Sequence, residues 1–84
     1  MTKRPFRPVK PGEILQEELE VRCWTPADLA EILGQPVQRI NEILEGKRAI
    51  TSNLALLLSN VLETSPDYWL NLEFSYQFDL LSGP

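Results

Sequence analysis

The apolar positions of this chain recur at helical spacing in five segments, and none of these segments alternates strictly as a strand would. The first predicted helix spans 11–21, and its apolar edge consists of Ile14, Leu15 and Leu19. The helix starts with a proline, which is favoured there because its missing N–H would have no helical partner. Glu13 suits the positive end of the helix dipole. The pattern therefore indicates an amphipathic first helix.

Cap signals mark the second and third helices. Thr25 is followed by a proline and, three residues on, by Asp28, a combination typical of a helix start. The second helix is predicted over 26–33 and ends at Gly34, because glycine adopts the left-handed backbone that a sharp exit needs. A third helix is predicted to follow directly over 36–45.

Two further helices are predicted from the same kinds of signal. Thr51 or Ser52 caps a fourth helix whose apolar residues form one broad arc, with only Leu56 on the opposite side. A serine-proline pair then opens a fifth helix, predicted over 66–81. The sequence therefore predicts an all-α fold.

The segment 25–45 has the pattern of a helix-turn-helix, in which two helices meet at a tight corner. Only Gly34 and Gln35 separate the helices, and Ala30 is small where they would approach each other. The residues that would fill the corner are Leu29, Leu33, Ile40 and Ile43. An ordinary helical corner requires some of these features but does not usually combine them all. The segment therefore predicts a small DNA-binding module.

In such a motif the second helix lies in the major groove and contacts bases with its outer face. Gln38 can bond adenine, Glu42 can accept a hydrogen bond from cytosine, and Val37 can contact a thymine methyl. Basic residues beside them are predicted to contact phosphates, as is Asn41. The predicted DNA-binding residues are Val37, Gln38, Arg39, Asn41, Glu42, Lys47 and Arg48. The alternative is a solvated helix face without a ligand.

Two apolar stripes run along the fifth predicted helix. One consists of Trp69, Leu72, Tyr76 and Leu80, and the other of Leu70, Phe74, Phe78 and Leu81. One stripe can cover the core, and a chain of 84 residues has little protein left to bury the other. We therefore expect a homodimer, which suits a palindromic DNA site. The predicted dimer-interface residues are Trp69, Leu70, Leu72, Phe74, Tyr76 and Phe78.

The formal net charge of −4 opposes DNA binding, which depends on neutralising phosphates. The distribution of charge reduces this conflict, because only the local field faces the DNA. Basic residues cluster near the third helix and in 1–10, a proline-containing stretch that we predict to be an extended arm. The arm contains Lys3, Arg4, Arg7 and Lys10. The remaining 11–84 suffice for a single helix-turn-helix domain.

The composition argues against catalysis and metal binding. The chain has no histidine and a single cysteine, Cys23, so the usual zinc spacings and histidine-based nucleophilic sites are impossible. The acidic residues of the first helix fit a solvated face better than an acid–base pair. No apolar run reaches the roughly 20 residues that span a bilayer, and the N-terminus is too polar for a signal peptide. We expect a cytoplasmic protein that is not an enzyme and has no cofactor, metal, membrane or small-molecule partner.

Three stretches of the chain carry a family resemblance. They are PGEILQEEL near the start, LAEILGQPVQRINEILEGKRAIT in the middle and ALLLSNVLETSPDYWLNLE further on. Together they resemble the HigA/VapI branch of the XRE-type helix-turn-helix antitoxins over 9–76. The most specific parts are RINEIL followed by GKR, and TSPDYWLNL, which generic phage-repressor domains lack.

The resemblance implies a five-helix, lambda-repressor-like helix-turn-helix domain with a C-terminal helix used for dimerisation. It also implies an antitoxin of a type II toxin-antitoxin system. Such an antitoxin neutralises a basic, HigB/RelE-like toxin that cleaves mRNA, and as a dimer it binds double-stranded operator DNA to repress its own operon. An acidic chain suits both tasks, because it can pair with a cationic toxin while a local basic patch binds DNA.

Four positions depart from the pattern of the family it resembles. Pro36 and Val37 stand where a serine or threonine and a polar or basic residue usually begin the recognition helix, so a cap and a DNA contact are lost. Leu57 replaces a common basic residue, and Glu63 replaces the glycine that usually ends the fourth helix. The departures bear on DNA affinity and sequence preference more than on the fold.

Two other functions compatible with the same fold remain open. A stand-alone transcriptional regulator would bind an operator but would not co-purify with a basic partner. A protein-interaction module that has lost DNA binding would also fit the negative charge and Val37. Binding to its own upstream DNA that weakens with salt, and with Arg39→Ala or Arg48→Ala, would exclude this module.

Overall fold

The computed structural model describes residues 9–82 of the chain, which contain five α-helices. The helices are α1 (Pro11–Arg22), α2 (Pro26–Leu33), α3 (Val37–Leu44), α4 (Ser52–Leu62) and α5 (Pro66–Ser82). No strand occurs within 9–82, and the predicted all-α fold is confirmed. Residues 1–8, which make up most of the predicted basic arm, lie outside the described residues.

Side-chain caps begin three of the helices. Thr25 and Asp28 form the predicted capping box of α2, in which each side chain accepts a hydrogen bond from the other's backbone N–H, at 3.1 and 2.9 Å. Thr51 caps α4 by accepting from the N–H of Leu54 at 3.3 Å, so the cap is the threonine and not Ser52. The hydroxyl of Ser65 accepts from the N–H of Tyr68 at 3.1 Å at the start of α5. Each cap satisfies a backbone donor that the helix leaves unpaired.

The third helix begins one residue later than predicted. Pro36 has an extended backbone with ψ 138°, so it lies outside α3, and its carbonyl accepts from the N–H of Arg39 at 3.1 Å. No side chain caps this end of the helix. The expected loss of a cap at Pro36 is therefore confirmed.

Three helices end at a residue in the left-handed conformation. Cys23 follows α1 at φ 59°, Gly34 follows α2 at φ 67°, and Glu63 follows α4 at φ 58°. A side chain with a Cβ costs about 1–2 kcal/mol in this conformation, whereas glycine adopts it freely. The two non-glycine exits are therefore strained positions, which agrees with the expectation that Glu63 stands in place of a glycine.

Replacing Glu63 by glycine is expected to raise the free energy of unfolding by about 0.5–1 kcal/mol, because the relief of strain exceeds the added chain entropy. Urea denaturation followed by far-UV circular dichroism measures this change. Gly34→Ala is the reciprocal control, since a Cβ there meets nothing within 4 Å and adds only backbone strain. It should lower the free energy of unfolding by a similar amount. Two changes of the same sign would contradict the prediction.

One hydrophobic core joins all five helices. Its largest fully buried side chain is Trp69, at 0% exposure, whose indole Nε1 donates to the Thr64 hydroxyl at 2.7 Å. The other core residues are Leu15, Leu19, Leu29, Ala30, Leu33, Ile40, Ile43, Ile50, Leu54, Ala55, Leu58 and Leu62. The assignment of Trp69 to the dimer interface is therefore wrong, because a side chain that is fully buried in its own chain has no surface left for a partner.

The first helix approaches the end of the third through Gly12. A Cβ added at Gly12 would lie 2.7 Å from the carbonyl oxygen of Leu44 and would overlap the carbonyl oxygen of Ile43. Both atoms belong to the backbone, so neither can move away as a flexible side chain would. The absence of a side chain at Gly12 thus allows α1 to pack directly against the C-terminal turn of α3.

No helix within 9–82 is long and apolar enough to cross a membrane. The same residues contain no group of three or more Cys, Asp or Glu side chains arranged to hold a metal ion.

Candidate nucleic-acid interface

The turn between α2 and α3 has the geometry of a tight helical corner. Gly34 adopts the left-handed conformation, and the N–H of Gln35 donates to the carbonyl of Ala30 at 2.9 Å. Ala30 is buried, as its small size predicted for a point where two helices pack closely. The four residues predicted to fill the corner, Leu29, Leu33, Ile40 and Ile43, are all buried in the core. The predicted helix-turn-helix is therefore present.

The third helix has one buried and one open face. Ile40 and Ile43 point into the core, and the opposite side carries most of the residues that the sequence assigned to DNA. Val37, Gln38, Arg39 and Asn41 are exposed, and Glu42 is half-buried. The structure thus brings the predicted residues of α3 together on one accessible surface.

The cations of this surface have hydrogen-bonding partners within the chain. The Arg39 guanidinium donates to the side-chain oxygen of Gln35 at 3.0 Å. The Arg48 Nε donates to the Glu42 carboxylate at 2.8 Å. Lys47 and Glu45 form a longer, more exposed ion pair at 3.4 Å. These bonds place Arg48, which follows α3 in the chain, beside the open face of that helix.

The carboxylate of Glu42 is the electrostatic centre of the surface. The hydrogen bond from Arg48 is the largest effect and lowers the pKa of Glu42 below its ordinary value, whereas burial acts in the opposite direction. The positive charges of Arg48 and Lys47 and a hydrogen bond from Gln38 lower the pKa further. Glu42 is therefore held in its charged form on a face that would meet nucleic acid.

A shallow pocket of about 50 Å³ next to Arg39 and Arg48 adds residues that the sequence reasoning missed. Gln35, Thr51 and Asn53 line it, so the start of α4 lies beside the cations. The N–H groups of a helix start and short polar side chains are common contacts for a phosphate. The sequence carried a signal for Thr51 and Asn53, because a polar helix start follows GKR after only Ala49 and Ile50.

Leu57 lines the same pocket. Its side chain is half-buried and packs against the core. Where the resembled family commonly has a basic residue, this chain therefore offers an apolar contact. The position carries no charge toward a phosphate, which agrees with the departure noted in the sequence.

The exposure of α5 changes along its length. In the first half, Leu70 and Leu72 pack partly against the core beside Trp69. In the second half, Phe74 is 70% exposed and Phe78 is 57% exposed, and their rings stack at 6.3 Å between centroids. The second half of α5 thus presents an apolar, aromatic surface to solvent, which we call the α5 surface and define by Phe74, Phe78 and Leu81.

A hydrogen bond connects α5 to the loop that follows α3. The N–H of Ile50 donates to one carboxylate oxygen of Glu73 at 3.0 Å, and Gln77 donates to the other at 2.7 Å. Ile50 lies just after Lys47 and Arg48 and is buried in the core. The loop that carries two of the cations is therefore anchored directly to the helix that carries the α5 surface.

A buried tight corner, an open polar helix face and flanking cations define a helix-turn-helix protein. Residues 16–69 match the family model HTH_3, which is described as helix-turn-helix. An HTH-type transcriptional regulator of Haemophilus influenzae, itself uncharacterised, is 40% identical over 68 residues. The alignment covers 80% of this chain but 64% of the relative, so the chain spans slightly less than two thirds of that protein.

Two solved structures are similar to the chain in both fold and sequence. An addiction module antidote protein of the HigA family from Coxiella burnetii is 41% identical, with a TM-score of 0.85 over 89% of this chain and 83% of that one. The Pseudomonas aeruginosa antitoxin HigA, solved with the higBA promoter, is 34% identical, with a TM-score of 0.86 over the same shares of the two chains. The chain belongs to the helix-turn-helix family and, within it, to the group of HigA antitoxins, which confirms the resemblance seen in the sequence.

Proposed function

We propose that this protein is the antitoxin of a type II toxin-antitoxin system. It binds and neutralises a HigB/RelE-like mRNA-cleaving toxin, and it binds operator DNA to repress its own operon. The observation that carries the proposal is the open polar face of α3 on a HigA-like framework. The P. aeruginosa HigA structure, solved with the higBA promoter, supports the DNA-binding part.

For DNA binding, α3 enters the major groove with its open face toward the bases. Gln38 and Asn41 contact base edges or the sugar-phosphate backbone near them, and Val37 contributes an apolar contact. Arg39, Lys47 and Arg48 bind phosphates on either side of the groove. Gln35, Thr51 and Asn53 extend the phosphate contacts along the pocket at the start of α4.

For dimerisation, two copies pair through the α5 surface. Phe74, Phe78 and Leu81 are exposed, apolar and adjacent on one helix, and such a surface is stabilised by burial against a partner. Leu70 extends the interface toward the core, whereas Leu72 and Tyr76 are half-buried and lie at its edge. A two-fold pair presents two α3 helices to a palindromic operator.

For toxin binding, the support is family membership and charge. The formal net charge of −4 favours a cationic partner, because opposite charges accelerate encounter and disfavour wrong partners. The exposed acidic residues of α1, including Glu17 and Glu20, supply part of this charge. Since both operator DNA and a toxin that cleaves mRNA are intracellular targets, we propose a cytoplasmic location.

The test is co-expression with the neighbouring open reading frame. We expect that frame to encode a small basic protein, and a tagged copy of this chain should retain it through affinity purification and gel filtration. Growth arrest by the neighbour alone, relieved by this chain, would establish neutralisation. A chain that binds its upstream DNA but retains no neighbour is instead a stand-alone regulator. The name of the H. influenzae relative favours that second function.

A further inference from the structure

Two residues that the sequence assigned to DNA, Glu42 and Arg48, are bonded to each other. Arg48 donates to Glu42 across six residues of chain, from the loop after α3 back to the last turn of the helix, at 2.8 Å. Gln38, one turn earlier on α3, lines the same surface depression as Glu42 and Arg48. The side chains of Glu42 and Arg48 keep 29% and 47% of their surface exposed, so the pair faces solvent and is accessible to DNA.

This arrangement almost cancels the charge of the surface. Within 37–48 the cations are Arg39, Lys47 and Arg48 and the carboxylates are Glu42 and Glu45, so three positive charges meet two negative ones. The pair of Lys47 with Glu45 is long and well exposed, and pairs of this kind contribute little. The bond between Arg48 and Glu42 is short and charge-assisted, which makes it the stronger of the two.

A carboxylate and a phosphate compete for the same guanidinium charge. Arg48 donates its Nε–H to Glu42, and a phosphate that bound its Nη groups would lie beside that carboxylate. A DNA phosphate that binds Arg48 must therefore either displace Glu42 or tolerate its negative charge nearby. That charge is satisfied only where a base presents an amino donor, such as the N4 of cytosine.

We propose that Glu42 is a specificity-determining residue that holds Arg48 in place of a DNA phosphate and so weakens binding to DNA of any sequence. The cognate operator compensates by offering a donor to Glu42, whereas other sequences do not. This inference rests on the proposed DNA-binding function. Glu42 then lowers the affinity for non-cognate DNA and also contacts a base of the cognate operator.

The test compares wild-type protein with Glu42→Gln on a duplex of the chain's own upstream DNA and on a scrambled duplex of equal length. Fluorescence anisotropy over a salt series gives affinity and salt dependence for each. We expect Glu42→Gln to bind the scrambled duplex about three- to tenfold more tightly. The logarithmic salt slope should steepen by about 0.9, the value for one added phosphate contact. Affinity for the operator should rise less, so the specificity ratio falls.

Matched variants separate this effect from bulk charge. Glu45→Gln makes the same change in net charge at the weaker pair and should alter either affinity by no more than about twofold. In the Arg48→Ala background, Glu42→Gln should lose its effect, because the competition needs the guanidinium. Circular dichroism checks the fold of each variant, although misfolding cannot imitate a gain in affinity.

Two results would overturn the inference while leaving DNA binding intact. If Glu42→Gln and Glu45→Gln raise the affinity for DNA equally, the effect is due to net charge alone. Weaker binding of Glu42→Gln to both duplexes would show that Glu42 positions Arg48 for DNA and does not compete with it. Wild-type protein that binds neither duplex at low salt would overturn the proposed DNA-binding function, and the inference with it.

Discussion

Replacing Gly12 by alanine is expected to lower the free energy of unfolding by about 3 kcal/mol, a large part of the total for a domain of this size. Local helix propensity alone gives the opposite sign, because alanine is better than glycine inside a helix by about 1 kcal/mol. The added methyl group would press on the backbone carbonyls of Ile43 and Leu44, which cannot rotate away. The sign of the change therefore decides between local propensity and packing.

Urea denaturation of the wild-type protein and the Gly12→Ala variant measures this effect. Gly34→Ala is the control, because it adds backbone strain without a clash and should cost only about 1 kcal/mol. Where the Gly12→Ala protein still folds, we expect weaker operator binding, since α3 must shift away from α1. A variant as stable as wild type, or more stable, would contradict the close packing of these two helices.

The second large effect is expected from replacing both Phe74 and Phe78 by glutamate. These side chains are exposed in the single chain, so the change should cost its fold little. It should instead convert the proposed dimer to a monomer, because four carboxylates would face one another across the interface. A monomer engages one half-site at a time, so operator affinity should fall at least about 100-fold.

Sedimentation velocity and anisotropy on a full and a half-site operator measure these two changes. Leu56→Glu is the matched control, because Leu56 is 53% exposed on the outer side of α4 and is not part of the α5 surface. It should leave both mass and affinity unchanged. If the double variant with glutamate at both positions remains a dimer with full operator affinity, the dimer contact lies elsewhere.

Most of the helical framework could be predicted because its signals are local. The threonine caps at Thr25 and Thr51 and the left-handed exit at Gly34 depend on residues that are neighbours in the chain. The corner between α2 and α3 depends on a spacing of a few residues. Physical effects of this range can be read from sequence without knowing where the remainder of the chain lies.

The error at Trp69 has a physical cause. The two stripes predicted for α5 depend only on the direction in which each side chain leaves the helix. In the structure exposure also changes along the helix, because the first half lies under the other helices and the second half extends past them. Trp69 is therefore buried, whereas Leu80, on the same stripe, is 51% exposed. A periodicity contains no information about where a neighbouring helix ends.

The pairing of Glu42 with Arg48 could not be predicted from the sequence either. It depends on the path of the loop between α3 and α4, which returns the guanidinium to the helix face that it has just left. Sequence reasoning placed Glu42 opposite a base and Arg48 opposite a phosphate, as two independent contacts. In the structure the two side chains form one ion pair, so each largely neutralises the charge of the other before DNA binds.

The hydrogen bond between Ile50 and Glu73 has a consequence for the length of the operator. It fixes the loop that carries Lys47 and Arg48 to α5, and in the proposed dimer α5 also holds the partner. The separation of the two recognition helices is then a property of the protein, and DNA must match it. Each extra base pair between half-sites moves them apart by about 3.4 Å and turns one relative to the other by roughly 35°. A genome therefore offers few acceptable sites, since both the bases and the distance between them must be right.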